Sequence, residues 1–317
     1  MSEYASFQEL GRRMRALYDE KAYAEGLAML EREAPHYPEQ ETRLNFWLMC
    51  FATLAGQPGR ALSLFETALE RGLWFPRAFL RNDPDLAALQ GDTEFERLVG
   101  INEERVQVAE ADVRPYREVL APAAGTPPGG LLVALHANAS NVALQVDHWR
   151  PATRAGWTVL LPQSTQISGQ DTYVWDDRAW AFREVLEHLG QVAEAQAFAP
   201  AQRVVGGFSM GGQLAPDLVL SGALPARGFI CMGPYIPEDV FERWEAAFES
   251  AAARGVRGFI LIGDLDAHCV PGAEGLYQRM LAHGMRCEIR RYLGLDHEFP
   301  SDFDRVLLEA LAFMQAV

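Results

Sequence analysis

The chain has 317 residues, a formal net charge of −15, 49% hydrophobic residues and 22% charged residues. Its length exceeds one typical domain and allows a full hydrophobic core, and its composition is that of an ordinary globular protein. The negative net charge disfavours a nucleic-acid backbone or an anionic membrane surface as a partner, and the spread of the acidic residues along the sequence favours solubility over a binding tail. No run approaches the roughly 18 consecutive apolar residues of a transmembrane helix, so no membrane span is predicted.

The cysteines and histidines give no sign of a metal or disulfide framework. Cys50, Cys231, Cys269 and Cys287 show no C-x-x-C spacing, and no H-x-x-x-H pair occurs. This pattern fits reduced thiols, and it disfavours a zinc site. The first residues lack the basic and apolar regions of a signal peptide. We therefore expect a cytoplasmic protein that needs no metal or cofactor.

The first 112 residues are predicted to be an all-helical domain. Apolar side chains recur at spacings of three and four, which is the period of an amphipathic helix. Helix–turn–helix pairs at a spacing of roughly 34 residues are typical of tetratricopeptide repeats, and Ala55-Gly56 and the run 64–72 resemble such repeats in degenerate form. The region carries no catalytic signature. The resemblance implies a protein partner or self-association through these helices.

The pattern changes after residue 112 to short apolar runs that alternate with helical segments. Residues 114–120 alternate in polarity and are predicted to form an edge strand. Six continuous apolar runs follow, as expected for strands whose two faces are both covered. They lie at 131–136, 157–161, 202–208, 227–232, 256–262 and 285–292. Residues 113–317 are therefore predicted to form a doubly wound, mostly parallel α/β domain.

A serine lies at the junction between one of these strands and the following helix. The sequence G-F-S-M-G at 207–211 fits G-x-S-x-G, with Ser209 at its centre. This pattern is typical of a nucleophile elbow, a tight turn that lifts a serine hydroxyl above the sheet. Glycine is needed beside the serine because the backbone approaches its neighbours closely. An ordinary glycine-rich loop fits the five residues equally well, so the motif alone does not decide between catalysis and structure.

The partners of the serine come from the ends of other strands. In a parallel sheet the loops at the carboxyl ends of the strands converge on one edge. Asp264 and Asp266 follow the strand at 256–262, and His297 follows the strand at 285–292. The chain order serine, aspartate, histidine is that of the α/β-hydrolases. We therefore predict that Ser209 is a nucleophile with its base and acid in these two loops.

Residues 114–317 resemble the α/β-hydrolase superfamily, nearest the phospholipase/carboxylesterase branch that includes acyl-protein thioesterases. The matching pieces are L-H-A-N-A-S-N (135–141), G-W-T-V-L-L-P-Q-S (156–164), G-G-F-S-M-G-G (206–212), G-D-L-D (263–266) and G-L-D-H-E-F (294–299). The resemblance implies an esterase or thioesterase. One departure is Ala137, which stands where the family has glycine after its histidine and which disfavours a positive φ.

Chemistry assigns a role to each residue type. A serine hydroxyl becomes a useful nucleophile when a base takes its proton, and His297 is the candidate base for Ser209. A carboxylate must hold the imidazole tautomer. Asp266 is preferred over Asp264, because the family acid lies three residues after the matching glycine. Asp296 is expected to be structural.

The remaining site residues surround the serine in the predicted fold. The backbone N–H groups of Met210 and Asn138 are the expected oxyanion donors. His136 is expected to brace the loop that carries Asn138. Tyr173 and Trp175 lie in a long polar segment, 162–177, and together with His136 they are candidate residues of the substrate pocket.

These features favour a serine hydrolase that cleaves a small carboxylic ester or thioester through an acyl-enzyme. Two alternatives stay open at this stage. One is a catalytically silent hydrolase fold with a peptide-binding helical region, and the other is a serine peptidase with the same fold. An intact set of serine, aspartate and histidine argues against the silent scaffold.

Overall fold

The computed structural model describes residues 2–4 and 7–316, and these residues form two compact units. Unit 1 contains the described residues up to Val113 together with Ser168–Gln170, and unit 2 contains Arg114–Ile167 and the residues from Asp171 onward. The predicted domains begin and end at Met1 and Val317, which lie outside the described residues.

Unit 1 is helical. Its helices are α1 (Phe7–Asp19), α2 (Tyr23–Glu33), α3 (Glu41–Leu54), α4 (Pro58–Glu70), α5 (Arg77–Asn82) and α6 (Thr93–Asp112). Short 3₁₀ segments lie at Ala34–His36, Pro38–Gln40 and Pro84–Leu89. Helix α3 packs against α2, α4 and the last 3₁₀ segment. The helices agree with those expected from the apolar spacing, and their kinship with tetratricopeptide repeats stays a prediction.

Close packing and one buried polar clamp fix the core of unit 1. A Cβ added to Gly26 would lie 2.1 Å from a ring atom of Phe51, so α2 and α3 can approach this closely only with glycine there. The side chain of Asn102 is fully buried in α6. Its amide oxygen accepts the Phe75 N–H at 2.8 Å and its amide nitrogen donates to the Phe75 carbonyl at 2.9 Å. The burial of this polar group is therefore compensated by hydrogen bonds.

Unit 2 alternates strands and helices. The strands that follow Arg114 are β1 (Tyr116–Leu120), β2 (Gly130–Leu135), β3 (Trp157–Gln163), β4 (Gln166–Gly169), β5 (Thr172–Val174), β6 (Arg203–Phe208), β7 (Gly228–Met232), β8 (Arg257–Gly263) and β9 (Cys287–Tyr292), and the last two residues of β4 are assigned to unit 1. Its helices are α7 (Val142–Trp149), α8 (Arg178–Ala195), α9 (Met210–Leu220), α10 (Glu238–Ala253), α11 (Val270–Ala282) and α12 (Phe303–Gln315).

The strands form a sheet in the order β1-β3-β2-β6-β7-β8-β9. Strand β1 pairs antiparallel to β3, and the other pairs are parallel. After β3 the chain crosses β2 and continues with β6, so the strand order reverses between β2 and β6. Loops at such a reversal diverge to opposite faces and leave a crevice, where ligands of open α/β sheets bind. The predicted doubly wound, mostly parallel sheet is confirmed.

Both faces of the sheet are buried. Leu131, Val133 and Leu135 of β2 belong to one apolar cluster, which includes side chains of α8 to α11. Leu132 and Ala134 point the other way, into a second cluster that includes side chains of α7 and α12. Coverage on both sides explains why the strands are short continuous apolar runs instead of alternating ones.

The structure differs from the expectation of a long loop at 162–177. Strand β3 extends to Gln163, and β4 and β5 form a separate two-stranded sheet with Asp171, at φ 52°, in its turn. These strands are too short and polar to show a clear period-two pattern. None of the helices in the described part of the chain is long and apolar enough to cross a membrane.

Candidate active site

Ser209 lies in the turn between β6 and α9 with a backbone conformation that is rare outside glycine. Its φ is 56° and its ψ is −116°. The Ser209 N–H donates to the Met232 carbonyl of the neighbouring strand at 2.8 Å. Such a conformation costs of order 1–3 kcal/mol and persists only where the surroundings hold it. The strain lifts the hydroxyl above the carboxyl end of β6.

The glycines beside the serine are required by close backbone contacts. A Cβ on Gly207 would lie 2.1 Å from the Gly211 carbonyl oxygen. A Cβ on Gly211 would lie 2.4 Å from the Leu135 carbonyl oxygen and 2.5 Å from that of His136. Both distances are far below van der Waals contact, so larger residues would force the turn apart. The start of α9 therefore packs directly on the end of β2.

His297 links the serine to a carboxylate. Its Nε2 lies 2.8 Å from Ser209 Oγ, and its Nδ1 lies 2.6 Å from Asp266 Oδ2. His297 lies in the loop after β9, and Phe208 packs against its imidazole ring with 4.8 Å between the centroids. Side chains from the ends of β6, β8 and β9 thus form one continuous hydrogen-bonded chain. Sequence reasoning had proposed these three residues, and the fold brings them together.

Asp266 is buried and well supplied with hydrogen bonds. Only 4% of its surface is exposed. Burial raises its pKa, but hydrogen bonds from His297 and Cys269 and the charge of the imidazole lower it by more, so the pKa is below the usual value. The carboxylate is therefore ionised at neutral pH. It can accept the Nδ1 proton of His297 and stabilise an imidazolium.

Cys269 is a neighbour of this chain that the sequence reasoning missed. Its thiol hydrogen bonds to the Asp266 carboxylate, and its Sγ lies 3.6 Å from His297 Nδ1. Burial and the nearby charge of Asp266 raise the pKa of the thiol well above its usual value, so it stays protonated and can donate. The Cys269 N–H donates to the Asp266 carbonyl at 3.0 Å. Its place at the start of α11, three residues after Asp266, was the available signal.

The other two aspartates near the histidine point elsewhere. Asp264 is exposed, and its Oδ1 accepts the Gly294 N–H at 2.7 Å. Asp296 Oδ1 accepts the backbone N–H of His297 at 2.9 Å. Both carboxylates therefore stabilise the β9 loop, and Asp266 is the one that reaches the imidazole.

The loop after β2 is held by a buried, neutral histidine. His136 Nδ1 lies 2.9 Å from the Ala137 carbonyl, to which it donates, and its Nε2 accepts the Ser164 N–H at 3.2 Å. Burial lowers the pKa of His136 to about 4, so it carries one proton at neutral pH. The positive φ of this loop occurs at Ala139 (46°), so Ala137 does not need the conformation that alanine disfavours.

This bracing bears on the orientation of Asn138. The Ala137 carbonyl and the Asn138 N–H belong to one planar peptide unit and point in opposite directions. When His136 holds the carbonyl, the N–H is directed away from the histidine.

Tyr173 of β5 and Trp175, just after it, contact the loop that follows β2. Trp175 is 4% exposed, stacks on His136 with 4.5 Å between the ring centroids, and donates from Nε1 to the His136 carbonyl at 3.0 Å. Its backbone N–H contacts Met210 Sδ at 3.1 Å. Tyr173 pairs through its backbone with Ser140. The buried Trp175 therefore supports the loop, and a direct contact of either aromatic residue with substrate stays a prediction.

Two groups in the described part of the chain each bring together three side chains of the kinds that can bind a metal ion. Asp266, Cys269 and His297 form one group, and Cys50, Asp83 and Asp85 of unit 1 form the other. The ligand atoms of each group lie within 4.8 Å of one another. In the first group those atoms are already occupied by the hydrogen bonds between the three side chains.

Comparisons with known proteins agree with this architecture. Residues 6–112 match the family "A/B hydrolase-like, N-terminal domain". An uncharacterized protein from Bacillus cereus ATCC 10987 is 26% identical, with 98% of this chain and 99% of that chain covered and a TM-score of 0.56. No curated protein matches the sequence significantly.

Two further solved structures each match about two thirds of the chain. Esterase PE8 is 20% identical, with 64% of this chain and 99% of that chain covered and a TM-score of 0.50. A carboxylesterase from Mesorhizobium loti is 17% identical, with 63% and 96% covered and a TM-score of 0.51. At these identities the likeness concerns the fold. The chain therefore has the α/β-hydrolase fold, preceded by a helical region that matches the A/B hydrolase-like N-terminal domain family.

Proposed function

We propose that this protein is a serine hydrolase that cleaves carboxylic esters or thioesters through an acyl-enzyme on Ser209. One observation carries the proposal: the unbroken hydrogen-bonded chain from Ser209 through His297 to the buried, ionised Asp266. A neutral histidine whose Nδ1–H is held by a carboxylate presents a basic Nε2 to the serine hydroxyl.

In the first half of the reaction, Ser209 Oγ attacks the substrate carbonyl carbon while His297 Nε2 takes the hydroxyl proton. The carbonyl oxygen becomes an oxyanion, for which we assign the backbone N–H groups of Met210 and Asn138 as donors. When the tetrahedral intermediate collapses, the bond to the alcohol or thiol breaks. His297 returns the proton to that leaving group, and the acyl group remains on Ser209.

In the second half, water attacks the acyl carbonyl and His297 Nε2 accepts one of its protons. The collapse of this second intermediate breaks the acyl–Oγ bond, and the imidazole proton returns to Ser209. The carboxylic acid leaves and the free enzyme is restored. Asp266 stays ionised throughout and stabilises the imidazolium in both halves.

The substrate class is inferred from proteins with the same fold. The names esterase PE8 and carboxylesterase from Mesorhizobium loti favour an ester over a peptide bond for a chain with the same fold. A serine peptidase would use the same three residues, so the distinction requires a measurement. Tyr173 is a candidate contact for the acyl or leaving group.

We also propose a division of labour, in which residues 113–317 form the catalytic domain and residues 1–112 a helical domain that contacts a partner or a second copy. In the described residues all four cysteines are free thiols. This supports a reducing compartment such as the cytoplasm.

Labelling with a fluorophosphonate probe tests the central claim. We expect the wild-type protein to be labelled on Ser209, and Ser209→Ala to be unlabelled. Equal labelling of both proteins, or no labelling of the wild type, would refute the assignment and favour a silent scaffold.

A chain-length series of p-nitrophenyl esters, a matched series of acyl thioesters and an amide of the same acyl group test the substrate class. We expect turnover of esters or thioesters to exceed that of the amide by at least about 100-fold. Comparable turnover of the amide would identify a peptidase.

A further inference from the structure

Unit 1 contains a cavity of about 350 Å³ that the proposed hydrolase reaction does not use. Tyr18 of α1 and Phe46, Trp47 and Phe51 of α3 give it aromatic walls. Two carboxylates also line it: Asp83, which caps the Pro84–Leu89 segment, and Asp85 in the first turn of that segment. We call it the aromatic cavity. Its volume is at the lower end of small-molecule sites, and aromatic walls with a few convergent polar groups are typical of such sites.

The two carboxylates lack a basic partner in the part of the chain that the structure describes. Asp85 Oδ1 accepts the Tyr18 hydroxyl at 2.7 Å, and Asp83 Oδ1 accepts the Asp85 N–H at 2.9 Å. Elsewhere in unit 1, arginines pair with carboxylates, as in Arg13–Glu25, Arg60–Glu31, Arg81–Glu96 and Arg97–Glu66. The cavity is therefore an acidic exception in a unit that has many ion pairs.

The negative charges of Asp83 and Asp85 are unfavourable in the cavity when no cation is bound. Burial raises the pKa of Asp85, the Tyr18 hydrogen bond lowers it, and the charge of Asp83 raises it, so the pKa lies above the usual value. Arg15 and Asp19 also line the cavity, but they are exposed and no ion pair joins Arg15 to a carboxylate among the described residues. A cation beside the two carboxylates would compensate both the repulsion and the lost hydration.

A metal ion is a poorer match than an organic cation. Besides the two carboxylates, the side chain that could bind a metal ion here is Cys50. Burial together with the charges of Asp83 and Asp85 raises the pKa of its thiol well above the usual value. A metal ion would have to displace the proton of this thiol, which opposes its binding. Aromatic rings offer nothing to a hard metal ion, but their faces attract ammonium and guanidinium groups and pack against alkyl stems.

We propose that the aromatic cavity binds a small organic cation, an alkylammonium or alkylguanidinium, with its charge against Asp83 and Asp85 and its stem against the rings of Phe46 and Trp47. The ligand is either a free amine or the side chain of a lysine or arginine, since both present the same chemistry. The site is separate from Ser209 and does not depend on the hydrolase reaction.

Calorimetric titration of the full-length protein with agmatine tests the proposal, because agmatine carries an ammonium and a guanidinium on a butyl stem. We expect saturable binding to wild type. Asp85→Asn and Asp83→Asn should each weaken it by about tenfold, which corresponds to about 1.4 kcal/mol. Asparagine can still accept the Tyr18 hydroxyl and can still cap the 3₁₀ segment, so both variants should fold. Trp47→Leu should weaken binding about threefold to tenfold through loss of the ring face.

Three controls make the outcome decisive. Asp112→Asn removes the same charge from an exposed position of unit 1 and should bind within twofold of wild type. Ser209→Ala should also bind normally, so the result holds whether or not the protein is a hydrolase. A blocked tripeptide with central arginine distinguishes the sources: tighter binding than agmatine indicates a partner protein, and weaker binding indicates a free amine. No binding of either probe to wild type, unchanged binding in both Asp→Asn variants, or binding of Zn²⁺ alone would overturn the proposal.

Discussion

The two units handle partly buried carboxylates in opposite ways. In unit 2, burial would raise the pKa of Asp266, but hydrogen bonds from His297 and Cys269 bring it below the usual value. In unit 1, burial and the repulsion from Asp83 raise the pKa of Asp85, and the single hydrogen bond from the Tyr18 hydroxyl, which lowers it, does not bring it back to the usual value. The difference is the number of donors that the chain itself supplies.

This contrast separates two kinds of polar site. A carboxylate that receives its hydrogen bonds from the chain itself is held in place and can orient a neighbouring side chain, as a preorganised reaction site requires. A carboxylate without them gains free energy from an external cation. The four experiments below test one or the other side of this contrast, in order of decreasing expected effect.

Asp266→Asn should have the largest effect, a loss of kcat of about 10³–10⁴-fold on a p-nitrophenyl ester. An amide in this place can donate to Nδ1 of His297 and so favours the wrong imidazole tautomer. Asp264→Asn is the matched control, because Asp264 contacts the Gly294 N–H instead. It should retain activity within about threefold. The reverse order of the two variants would contradict the assignment of the acid.

His136→Ala should reduce kcat by about 10- to 100-fold with little change in KM, since the loop that presents the Asn138 N–H loses its brace. Trp175→Phe removes the Nε1 donor to the His136 carbonyl but keeps an aromatic ring beside His136, so its effect should be smaller, about threefold to tenfold. Steady-state kinetics on one ester checks both. A change confined to KM would place these residues in substrate binding.

Cys269→Val should lower kcat/KM by about threefold to tenfold, because the Asp266 carboxylate loses the thiol donor while the volume at the site is nearly kept. Cys269→Ser keeps a donor and should recover most of the activity. Equal activity of all three proteins would show that the Asp266 carboxylate does not need the Cys269 thiol.

Asp85→Asn should raise the melting temperature at pH 7 by a small amount, about 1–3 °C. The folded-state pKa of Asp85 is raised, so the native state binds its proton more tightly than the unfolded chain. The stability contribution of this group therefore falls as pH rises from the unfolded pKa, about 3.9, through the folded pKa. The advantage of the variant should shrink as the pH is lowered towards 4. An advantage that grows on acidification would show that Asp85 is stabilised as a carboxylate.

The residues of the proposed reaction site could be selected from the sequence because local patterns and topology both constrain their places. The G-x-S-x-G turn marks Ser209, and loops after parallel strands must meet at one edge of the sheet, which places Asp266 and His297. The choice of Asp266 over Asp264 came from a family resemblance. In the structure the buried position of Asp266 distinguishes it, and burial is not visible in the sequence.

Other features depend on tertiary contacts that no local pattern encodes. Trp175 lies in a polar segment typical of a pocket wall, yet its ring is buried against His136. Cys269 reaches Asp266 only because α11 begins where it does. The aromatic cavity combines α1, α3 and the Pro84–Leu89 segment, so its carboxylates and rings are far apart in sequence.

The order of the strands has a consequence for heat inactivation. Ser209 follows β6, which is flanked by strands on both sides, whereas His297 follows β9, the last strand of the sheet. Edge elements open locally at a lower free energy than central ones. We therefore expect the hydrogen bond between His297 and Ser209 to be lost before the core unfolds. Activity should then be lost reversibly a few degrees below the cooperative unfolding transition.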